Sequence, residues 1–347
     1  MSFDVRGCSP QPAHHALAVA WTVSVNDYTT ALAASPDGTL LAVGSATGRL
    51  LVFEARSGAL RFQALAHPHG ITSIRWSPVG HILATGGQDG RALLFDPFGR
   101  VRAELAGDAS SVDHVAWAPH GRYLATASGG VARVWNESGE PIWKTDPHES
   151  AVTGLGWNRR GTEFATASSG GLHLFRVAPT VRARRFPRRG SLTSLAWSPT
   201  DAIVACGTDE HSVHFWRVAT GRDSEIATFP AKPRALSWDA MGRLLATSGN
   251  VTVNVWSFDR GGPEGMPPIQ LVGHQALCTA VAFGPREETL ASGGDDMTVL
   301  VWSPRRETMP RACGLLEDTV TGLAWTADEE FLVATDAVGT VRAWHAE

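Results

Sequence analysis

A block of about 40 residues is repeated along this chain, and the repetition constrains the fold more than any other feature of the sequence. Residues 277–303 show the block clearly, because three short apolar runs are separated there by turns rich in Gly, Asp and Pro. Such runs and turns predict a three-stranded antiparallel meander. The residue that follows the last position of each first strand marks one copy, and successive copies are 40 to 45 residues apart. The eight marker residues are Ser35, Ser77, Ala118, Asn158, Ser198, Asp239, Gly284 and Thr326.

The two ends of the chain indicate how the repeats close. Each of the first seven meanders is followed by a further strand pattern, whereas the eighth ends at Trp344, close to the end of the sequence. One more strand pattern, residues 19–26, precedes the first meander. If this strand pairs with the eighth meander, eight four-stranded units form a ring without open strand edges between the units. We therefore predict a flexible arm at residues 1–18 and one ring domain at residues 19–347, with seven units and a degenerate repeat as the alternative.

The tryptophans agree with this register. Of the 13 tryptophans, six end first strands and five end third strands, while Trp21 and Trp143 fall in outer-strand patterns. Large aromatic side chains at repeated positions pack between neighbouring sheets. We therefore assign these residues to the core rather than to a ligand site.

The repeat resembles the WD repeat. In residues 277–303 and just before them, its motif residues are Gly273-His274, Ser292, Asp296 and Trp302. The chain is similar to WD-repeat β-propellers over about residues 19–346, which implies an all-β, eight-bladed WD40-type propeller. The resemblance also implies that His274, Ser292, Asp296 and Trp302 form a buried hydrogen-bond network that braces the blade.

Other repeats depart from this pattern. The second repeat keeps His67, Thr85 and Asp89 but ends in Phe95, so it lacks the indole donor. The Asp that follows the terminal Trp in the family is mostly replaced here. The bracing is therefore not expected to be the same in every blade, and packing alone can maintain the blades that lack it.

Composition and charge exclude several classes of protein. The chain is 43% hydrophobic with a formal net charge of −4, as in ordinary soluble proteins. No membrane span and no secretory leader are predicted, and we expect Cys206 and Cys278, which fall in strand patterns, to be buried free thiols. These features predict a cytoplasmic protein. The use of 28 arginines and only two lysines, Lys144 and Lys232, predicts a GC-rich, bacterial source.

No catalytic motif stands out, so we predict neither enzymatic activity nor a cofactor. Histidines and acidic residues near the channel suggest an alternative, a metal- or small-ligand-binding propeller. The residues concerned are His67, His69, His148, Glu149, Asp209, Glu210 and His211. Because His67, His148 and His274 occupy the bracing position of the repeat, a structural role is favoured and no metal site is predicted.

The predicted function is a rigid, non-catalytic scaffold, WD40-type and monomeric, that binds a protein or peptide. The resemblance implies a docking surface made of the loops before first strands and the turns between second and third strands. By position, its predicted residues are His69, Asp108, Ser110, Glu149, Arg189, Lys232, Gln275 and Asp318.

A basic stretch is the one unusual charge feature of the sequence. It comprises Arg182, Arg184, Arg185, Arg188 and Arg189, which we place in the outer strand of blade 4 and the loop after it. The stretch is either a patch for an acidic partner or a charged guard on an exposed strand edge. Nucleic-acid binding is disfavoured because the whole chain is acidic.

Overall fold

The computed structural model describes residues 15–80, 82–177, 182–227, 229–259, 262–286 and 288–346. The regular elements among these residues are all β-strands, and they form eight sheets. Each sheet is one blade of a ring. The alternation of apolar and polar residues explains this outcome, because each blade buries both faces against its neighbours.

Blades are numbered in chain order. Two short strands, β1 (His15–Ala16) and β2 (Val19–Ser24), precede blade 1. Blade 1 contains β3 (Thr29–Ala34), β4 (Leu40–Ser45), β5 (Arg49–Glu54) and β6 (Leu60–Leu65). Blade 2 contains β7 (Ile71–Trp76), β8 (Leu83–Gly87), β9 (Arg91–Phe95) and β10 (Val101–Ala106). Blade 3 contains β11 (His114–Trp117), β12 (Tyr123–Ser128), β13 (Val131–Asn136) and β14 (Pro141–Lys144). Blade 4 contains β15 (Gly154–Trp157), β16 (Glu163–Arg176) and β17 (Arg182–Ser191).

The second half of the chain follows the same plan. Blade 5 contains β18 (Ala196–Trp197), β19 (Ile203–Gly207), β20 (Val213–Arg217) and β21 (Asp223–Ile226). Blade 6 contains β22 (Leu236–Trp238), β23 (Leu244–Thr247), β24 (Val253–Ser257) and β25 (Ile269–Leu271). Blade 7 contains β26 (Cys278–Phe283), β27 (Leu290–Gly294), β28 (Thr298–Trp302) and β29 (Ala312–Leu315). Blade 8 contains β30 (Val320–Trp325), β31 (Phe331–Asp336) and β32 (Thr340–His345).

The ring has eight blades and closes through the N-terminal strand. The first strand of each blade contacts the first strands of both neighbours, and β30 of blade 8 contacts β3 of blade 1. Strand β2 completes blade 8 by pairing antiparallel with β32, from Val19 opposite Trp344 to Ser24 opposite Thr340. The predicted eight-bladed ring and its closing strand are therefore confirmed, and the seven-bladed alternative is wrong.

A second contact of the N-terminal segment reaches blade 7. Strand β1 pairs in parallel with β29, and the backbone N–H of Leu17 donates to the carbonyl of Cys313 at 2.9 Å. This pairing uses polar groups of β29 that would otherwise stay open at the sheet edge. The arm predicted at residues 1–18 thus has backbone contacts from His15 onward, while residues 1–14 lie outside the described residues.

Blade 4 keeps the predicted four strands, although its second and third strands run together in β16. The two halves of β16 fold back on each other at Gly170 and Gly171, which have φ angles of +91° and +127° that glycine adopts without strain. The backbone N–H of Val177 donates to the carbonyl of Thr162 at 3.1 Å, and the rings of Phe164 and Phe175 stack 5.1 Å apart, so β16 is a hairpin. Its first part pairs with β15 and its second part with the ten-residue strand β17. Strand β16 therefore supplies both the second and the third strand of blade 4, and β17 is the fourth, as predicted.

The core lies between the blades. The buried apolar side chains form eight clusters, and each cluster joins two adjacent sheets. In the cluster between blades 8 and 1, for example, Val43 and Phe53 pack with Val333. Burying one such side chain contributes about 1.5–3 kcal/mol, so contacts between blades supply most of the ring's stability.

A row of indole hydrogen bonds also joins the blades. Five of the six tryptophans that end first strands donate their indole N–H to a carbonyl of the preceding blade. These bonds run from Trp76 to Ala33 (3.1 Å), Trp157 to Ala116 (3.0 Å), Trp197 to Gly156 (3.0 Å), Trp238 to Ala196 (3.3 Å) and Trp325 to Ala282 (2.9 Å). The sixth, Trp117, is buried, and its indole nitrogen has no partner among the described residues. The sequence predicted the packing of these rings but not their hydrogen bonds.

Replacing Trp157 by Phe should destabilise the protein more than replacing Trp117 by Phe. The first change removes a hydrogen bond and leaves the Ala116 carbonyl without its donor, whereas the second removes a donor that has no partner. We expect a difference of about 1 kcal/mol in the free energy of unfolding, measured by urea denaturation. Equal losses in the two variants would show that the indole bonds contribute nothing.

Candidate functional site

Loops and turns from all eight blades gather on one face of the ring. We call this the turn face; it carries the loops that lead into first strands and the turns between second and third strands. Seven of the eight predicted partner-binding residues lie in the loops that lead into first strands: His69, Asp108, Ser110, Glu149, Lys232, Gln275 and Asp318. The eighth, Arg189, lies in a strand instead, because β17 extends to Ser191 and absorbs the predicted loop.

The predicted residues do not form one site. His69, Asp108, Ser110 and Glu149 belong to blades 2 to 4, and the others on the turn face belong to blades 6 to 8. Several of these residues also form ion pairs or hydrogen bonds within the protein. Asp108 forms an ion pair with Arg133, and a carboxylate oxygen of Glu149 lies 2.6 Å from Arg185. The backbone N–H of Gln275 donates to Asp296 at 2.6 Å.

A cleft of about 770 Å³ opens at the mouth of the channel on this face. We call it the channel-mouth cleft; residues 28–30, 211, 230–232, 234, 248–249, 277–279, 295 and 319–321 line it. Lys232 is the one predicted partner-binding residue among them. Tyr28, 51% exposed, and Leu277, 37% exposed, add apolar surface to its wall.

Two cations give the cleft a positive side. Lys232 and Arg234 are both exposed, and neither forms an ion pair within the ranges that the structure describes. Asp295 is the acidic residue of the lining. The cleft can therefore offer a partner an aromatic ring, apolar contacts and two available positive charges.

Sequence reasoning missed Tyr28, Arg234 and Leu277. A signal for the first was present, since Tyr28 is one of only two tyrosines and lies just before a first strand. For Arg234 the signal was its spacing of two residues from Lys232, within a loop that contains Pro230 and Pro233. No local signal shows that these loops meet, because their blades are far apart in the sequence.

The structure brings the four residues of the predicted bracing network together. The Trp302 indole donates to the Ser292 hydroxyl at 2.8 Å, and this hydroxyl donates to Nε2 of His274 at 2.7 Å. The other ring nitrogen of His274, Nδ1, donates to Asp296 at 3.1 Å. Since a carboxylate only accepts, Nδ1 carries the proton. All donors of the relay are satisfied, which stabilises blade 7.

The electrostatics of Asp296 follow from these bonds. Burial raises the pKa of its carboxyl, but hydrogen bonds from His274 and Thr298 and from the Gln275 backbone together hold it well below the usual range. Asp296 is therefore ionised at neutral pH, and its charge holds the loop before blade 7 against the following turn.

In blades 2 and 4, the histidines at the position equivalent to His274 also use both ring nitrogens in hydrogen bonds. His67 is 2.9 Å from Asp89 and 2.8 Å from Thr85, as predicted from the sequence. In blade 4 a carbonyl replaces the carboxylate, because His148 donates to Gly130 at 2.7 Å and accepts from Thr166 at 2.8 Å. With both ring nitrogens engaged, these imidazoles have no free lone pair for a metal.

The remaining candidate ligands do not converge. His69 is exposed before blade 2, and His211 lies in a turn of blade 5 with a φ angle of +60°. In the part of the chain that the structure describes, no three His, Cys, Asp or Glu side chains are grouped as metal ligands.

The basic stretch is divided among several acidic partners. Arg184 pairs with Glu163 (3.5 Å), Arg185 with Glu149 (2.6 Å) and Arg188 with Glu210 (2.6 Å). Arg188 also donates from Nε to His214 at 3.1 Å and is largely buried between blades 4 and 5. Arg189 is exposed, and the side chain of Arg182 lies outside the described structure. The charges of Arg184, Arg185 and Arg188 are thus paired with carboxylates of neighbouring loops and strands.

Two further sequence predictions concern the environment of the protein. Cys206 and Cys278 are buried free thiols, as predicted. Burial raises the pKa of the Cys278 thiol to about 12. Within the described ranges, no helix has the length and apolar character needed to cross a membrane.

Comparison with known families explains the repeat. The WD40 model, "WD domain, G-beta repeat", matches residues 61–96, 99–136, 183–217 and 265–303. Each match begins at or near an outer strand and ends with the third strand of the next blade, so the sequence repeat is offset from the structural one. The chain contains WD40 repeats.

Curated relatives of this WD-repeat protein match part of its length. WD repeat-containing protein 1 of Gallus gallus is 33% identical over 155 residues, which is 42% of this chain and 24% of the relative. The target of rapamycin complex subunit wat1 of Schizosaccharomyces pombe is 29% identical over 145 residues, 41% of this chain and 44% of the relative. The transcription initiation factor TFIID subunit 5 of Caenorhabditis elegans is 24% identical over 149 residues, 42% of this chain and 22% of the relative. The chain therefore spans less than half of each relative.

Among solved structures, the computationally designed Ika8 protein superposes with a TM-score of 0.79 at 22% sequence identity. The superposition covers 95% of this chain and 99% of the designed one. At this identity the likeness concerns the fold alone, and it agrees with the propeller ring.

Proposed function

We propose that this WD-repeat protein is a non-catalytic scaffold that binds a segment of a partner protein or peptide in the channel-mouth cleft. The observation that carries the proposal is the composition of that cleft. It combines the exposed ring of Tyr28, the apolar Leu277 and the cations Lys232 and Arg234 in a volume of about 770 Å³. Aromatic anchors beside polar groups are typical of protein-binding surfaces.

The rigidity of the ring supports this role. Loops that protrude from a stiff scaffold present a fixed pattern to a partner, so they lose little conformational entropy on binding. Two of the relatives are named as subunits, one of a target of rapamycin complex and one of the transcription initiation factor TFIID. Assembly with other proteins is therefore the role that the family comparison favours.

The chemistry of the cleft favours binding over catalysis. Its one thiol, Cys278, is not a nucleophile at neutral pH, because burial raises its pKa to about 12 and the thiolate is the reactive form. The Cys278 thiol instead donates to the carbonyl of Ala280 at 3.3 Å. We include a monomeric state and a cytoplasmic location, both predicted from the sequence, in the proposal.

Partner capture with matched variants tests the proposed function. The cleft variant combines Tyr28→Ala, Lys232→Ser and Arg234→Ser. The control combines Phe98→Ala, Arg100→Ser and Arg102→Ser, which also removes one exposed aromatic and two exposed cations but lies at the other face and outer edge of blade 2. We expect the wild type and the control to capture the same partner, in similar amounts, from a lysate of the source cells. The cleft variant should capture at least about tenfold less of it.

Both triple variants change exposed side chains, so their melting temperatures should stay close to that of the wild type. Retention of the partner by the cleft variant at the wild-type level would contradict docking in the cleft. Loss of partner capture in the control variant alone would show that the docking surface lies on the opposite face.

A further inference from the structure

A second cleft lies on the face of the ring opposite to the turn face. We call this the reverse face; it carries the turns between first and second strands and those between third and fourth strands. Such turns of blades 4, 5 and 6 form a cleft of about 840 Å³, which we call the reverse-face cleft. The charged residues of its lining are Arg160, Glu163, Arg176, Arg184, Asp201, Arg217, Arg243 and Asp259.

The cleft carries more positive than negative charge. Two of its charged residues are paired with side chains outside the lining, because Arg217 lies 2.5 Å from Glu264 and Asp259 accepts two hydrogen bonds from Arg305, at 2.9 and 3.1 Å. Four arginines and two carboxylates remain, which leaves an excess of two positive charges. This excess is a local feature, since the whole chain has a formal net charge of −4.

The arginines of the cleft are more accessible than its carboxylates. Glu163 lies between two arginines, 3.1 Å from Arg176 and 3.5 Å from Arg184. Its side chain is 11% exposed, whereas that of Arg176 is 56% exposed. Likewise, Asp201 is 16% exposed next to Arg160, which is 82% exposed. A partner that approaches from solvent therefore meets guanidinium groups first.

The turn of blade 6 adds a cation and an apolar side chain. Arg243 is exposed and forms no ion pair within the ranges that the structure describes. Met241, two residues earlier, is also exposed and lines the cleft beside the partly buried Val218 of blade 5. A flexible thioether side chain adapts to the shape of an apolar partner group. The cleft thus offers cations and apolar surface side by side.

Contacts between blades hold these turns in place. The backbone N–H of Arg159 donates to Asp201 at 2.6 Å, and Arg184 donates to the carbonyl of Val218 at 2.8 Å, so blades 4 and 5 are joined at the cleft. The rings of Phe215 and Phe258 pack 5.3 Å apart and join blades 5 and 6. A charge pattern fixed in this way loses little conformational entropy when a partner binds.

The reverse face carries the opposite charge on the other side of the ring. A cleft of about 540 Å³ at blades 8, 1 and 2 has four acidic and two basic residues in its lining. These residues are Asp37, Glu54, Asp328, Glu330, Arg56 and Arg61. An acidic segment is attracted to the reverse-face cleft and repelled by this second cleft. A long polyanion such as nucleic acid would meet both clefts, so a short acidic segment is the better fit.

We propose that the reverse-face cleft binds a short acidic segment of a partner protein, with carboxylates on its arginines and an apolar side chain against Met241. Hydrogen bonds between guanidinium and carboxylate are charge-assisted and often bidentate, so they provide both affinity and orientation. The ring then has one docking surface on each face. The proposal does not rest on docking in the channel-mouth cleft, because the two clefts share no lining residue.

Peptide binding to purified proteins tests the proposal. The probe is a short fluorescein-labelled peptide with glutamates on both sides of one leucine, and its control has glutamine in place of each glutamate. The cleft variant combines Arg176→Gln and Arg243→Gln, which leaves Glu163 paired with Arg184. The control variant combines Arg100→Gln and Arg102→Gln, two exposed arginines of blade 2 without ion pairs among the described residues. Fluorescence anisotropy gives the affinities, and thermal melts confirm that each protein is folded.

We expect the wild type and the control variant to bind the acidic peptide equally, and the cleft variant to bind it at least about tenfold more weakly. Binding should weaken as salt is added, because exposed charges are screened. Equal affinity in the two variants overturns the proposal. So does binding of the glutamine peptide as tightly as the acidic one, or failure of the acidic peptide to bind the wild type.

A single substitution tests the apolar contact without changing any charge. Met241→Ser should weaken binding of the acidic peptide at least about threefold. Val79→Ser is its matched control, because Val79 is exposed at the equivalent position of blade 2. Equal affinities in these two variants would show that Met241 does not contact the peptide, which contradicts the proposed pose.

Two competition measurements exclude other occupants. Inorganic phosphate should displace the acidic peptide only through general screening, to the same extent as chloride at equal ionic strength. Displacement by phosphate at far lower concentrations would identify a free-anion site instead. Size-exclusion chromatography at low salt should show no self-association that depends on Arg176 and Arg243. Self-association that blocks the peptide would assign the cleft to a second copy of the chain and overturn the proposal.

Discussion

Deleting residues 1–26 is expected to make the protein aggregate, whereas deleting residues 1–14 should leave its melting temperature unchanged. The longer deletion removes β2, so the outer edge of β32 loses its partner. It also removes Trp21 and Val25, which are buried against blade 1. The Trp21 indole donates to the carbonyl of Ala55 at 2.8 Å, and its ring packs against Gly58 so closely that a Cβ there would clash.

The size of this effect follows from burial. Each such side chain contributes about 1.5–3 kcal/mol, and the broken strand pairing adds to the loss. Two or three losses of this kind rival the ~5–15 kcal/mol that typically stabilises a domain. An exposed edge at β32 would also pair with other chains.

The shorter deletion is a control that distinguishes the loss of ring closure by β2 from the effect of shortening the chain. Removing residues 1–14 deletes no contact among the described residues, while removing residues 1–18 should cause a modest loss, because β1 and Leu17 contact blade 7. Thermal melts and size-exclusion chromatography of the three proteins provide the measurement. Equal melting temperatures for the deletions of 1–14 and 1–26 would contradict closure by β2.

Asp296→Ala is expected to lower the free energy of unfolding at pH 7 by about 3 kcal/mol. The change removes the acceptor of the His274 ring, the Thr298 hydroxyl and two backbone N–H groups. Each buried donor left without a partner costs about 1–3 kcal/mol. Val338→Ala, at the equivalent position of blade 8, removes no such acceptor and should cost little, because Val338 is half exposed.

The effect of Asp296 should depend on pH. Burial raises its pKa, but hydrogen bonds from His274 and Thr298 and from the Gln275 backbone lower it further than burial raises it. Its stabilisation is therefore complete above about pH 4, where the unfolded carboxyl is also ionised, and is lost as the pH falls towards the lower folded pKa. Urea denaturation at pH 7 and pH 3 should show a smaller gap between wild type and Asp296→Ala at pH 3. A constant gap would mean that the carboxylate charge does not contribute.

Most of the fold could be predicted from the sequence because the repeat fixes both the number and the spacing of the blades. The strand at residues 19–26 was predictable for the same reason, since eight meanders leave one outer strand missing. Strand β1 was not predictable, because two residues carry no pattern and their pairing depends on an open edge in blade 7. The extension of β17 to Ser191, where a loop was predicted, depends on its pairing with β16, which is a tertiary effect.

The candidate site was less predictable, since it depends on which loops meet across the ring. Position in the repeat correctly placed seven residues on the turn face, but of the eight proposed contacts only Lys232 lines the channel-mouth cleft. Charge in the sequence was also a poor guide, because Glu149 and Arg185 neutralise each other across 36 positions. Such pairs form between side chains of different strands and loops, so only the folded structure reveals which charges remain free.

Photo-crosslinking from Tyr28 tests docking in the channel-mouth cleft most directly. A benzoylphenylalanine is placed at Tyr28 in one protein and at Phe98, which is 70% exposed beyond the third strand of blade 2, in the control. After irradiation with the captured partner, we expect a covalent adduct from position 28 and none from position 98. An adduct from position 98 alone would contradict docking in the channel-mouth cleft.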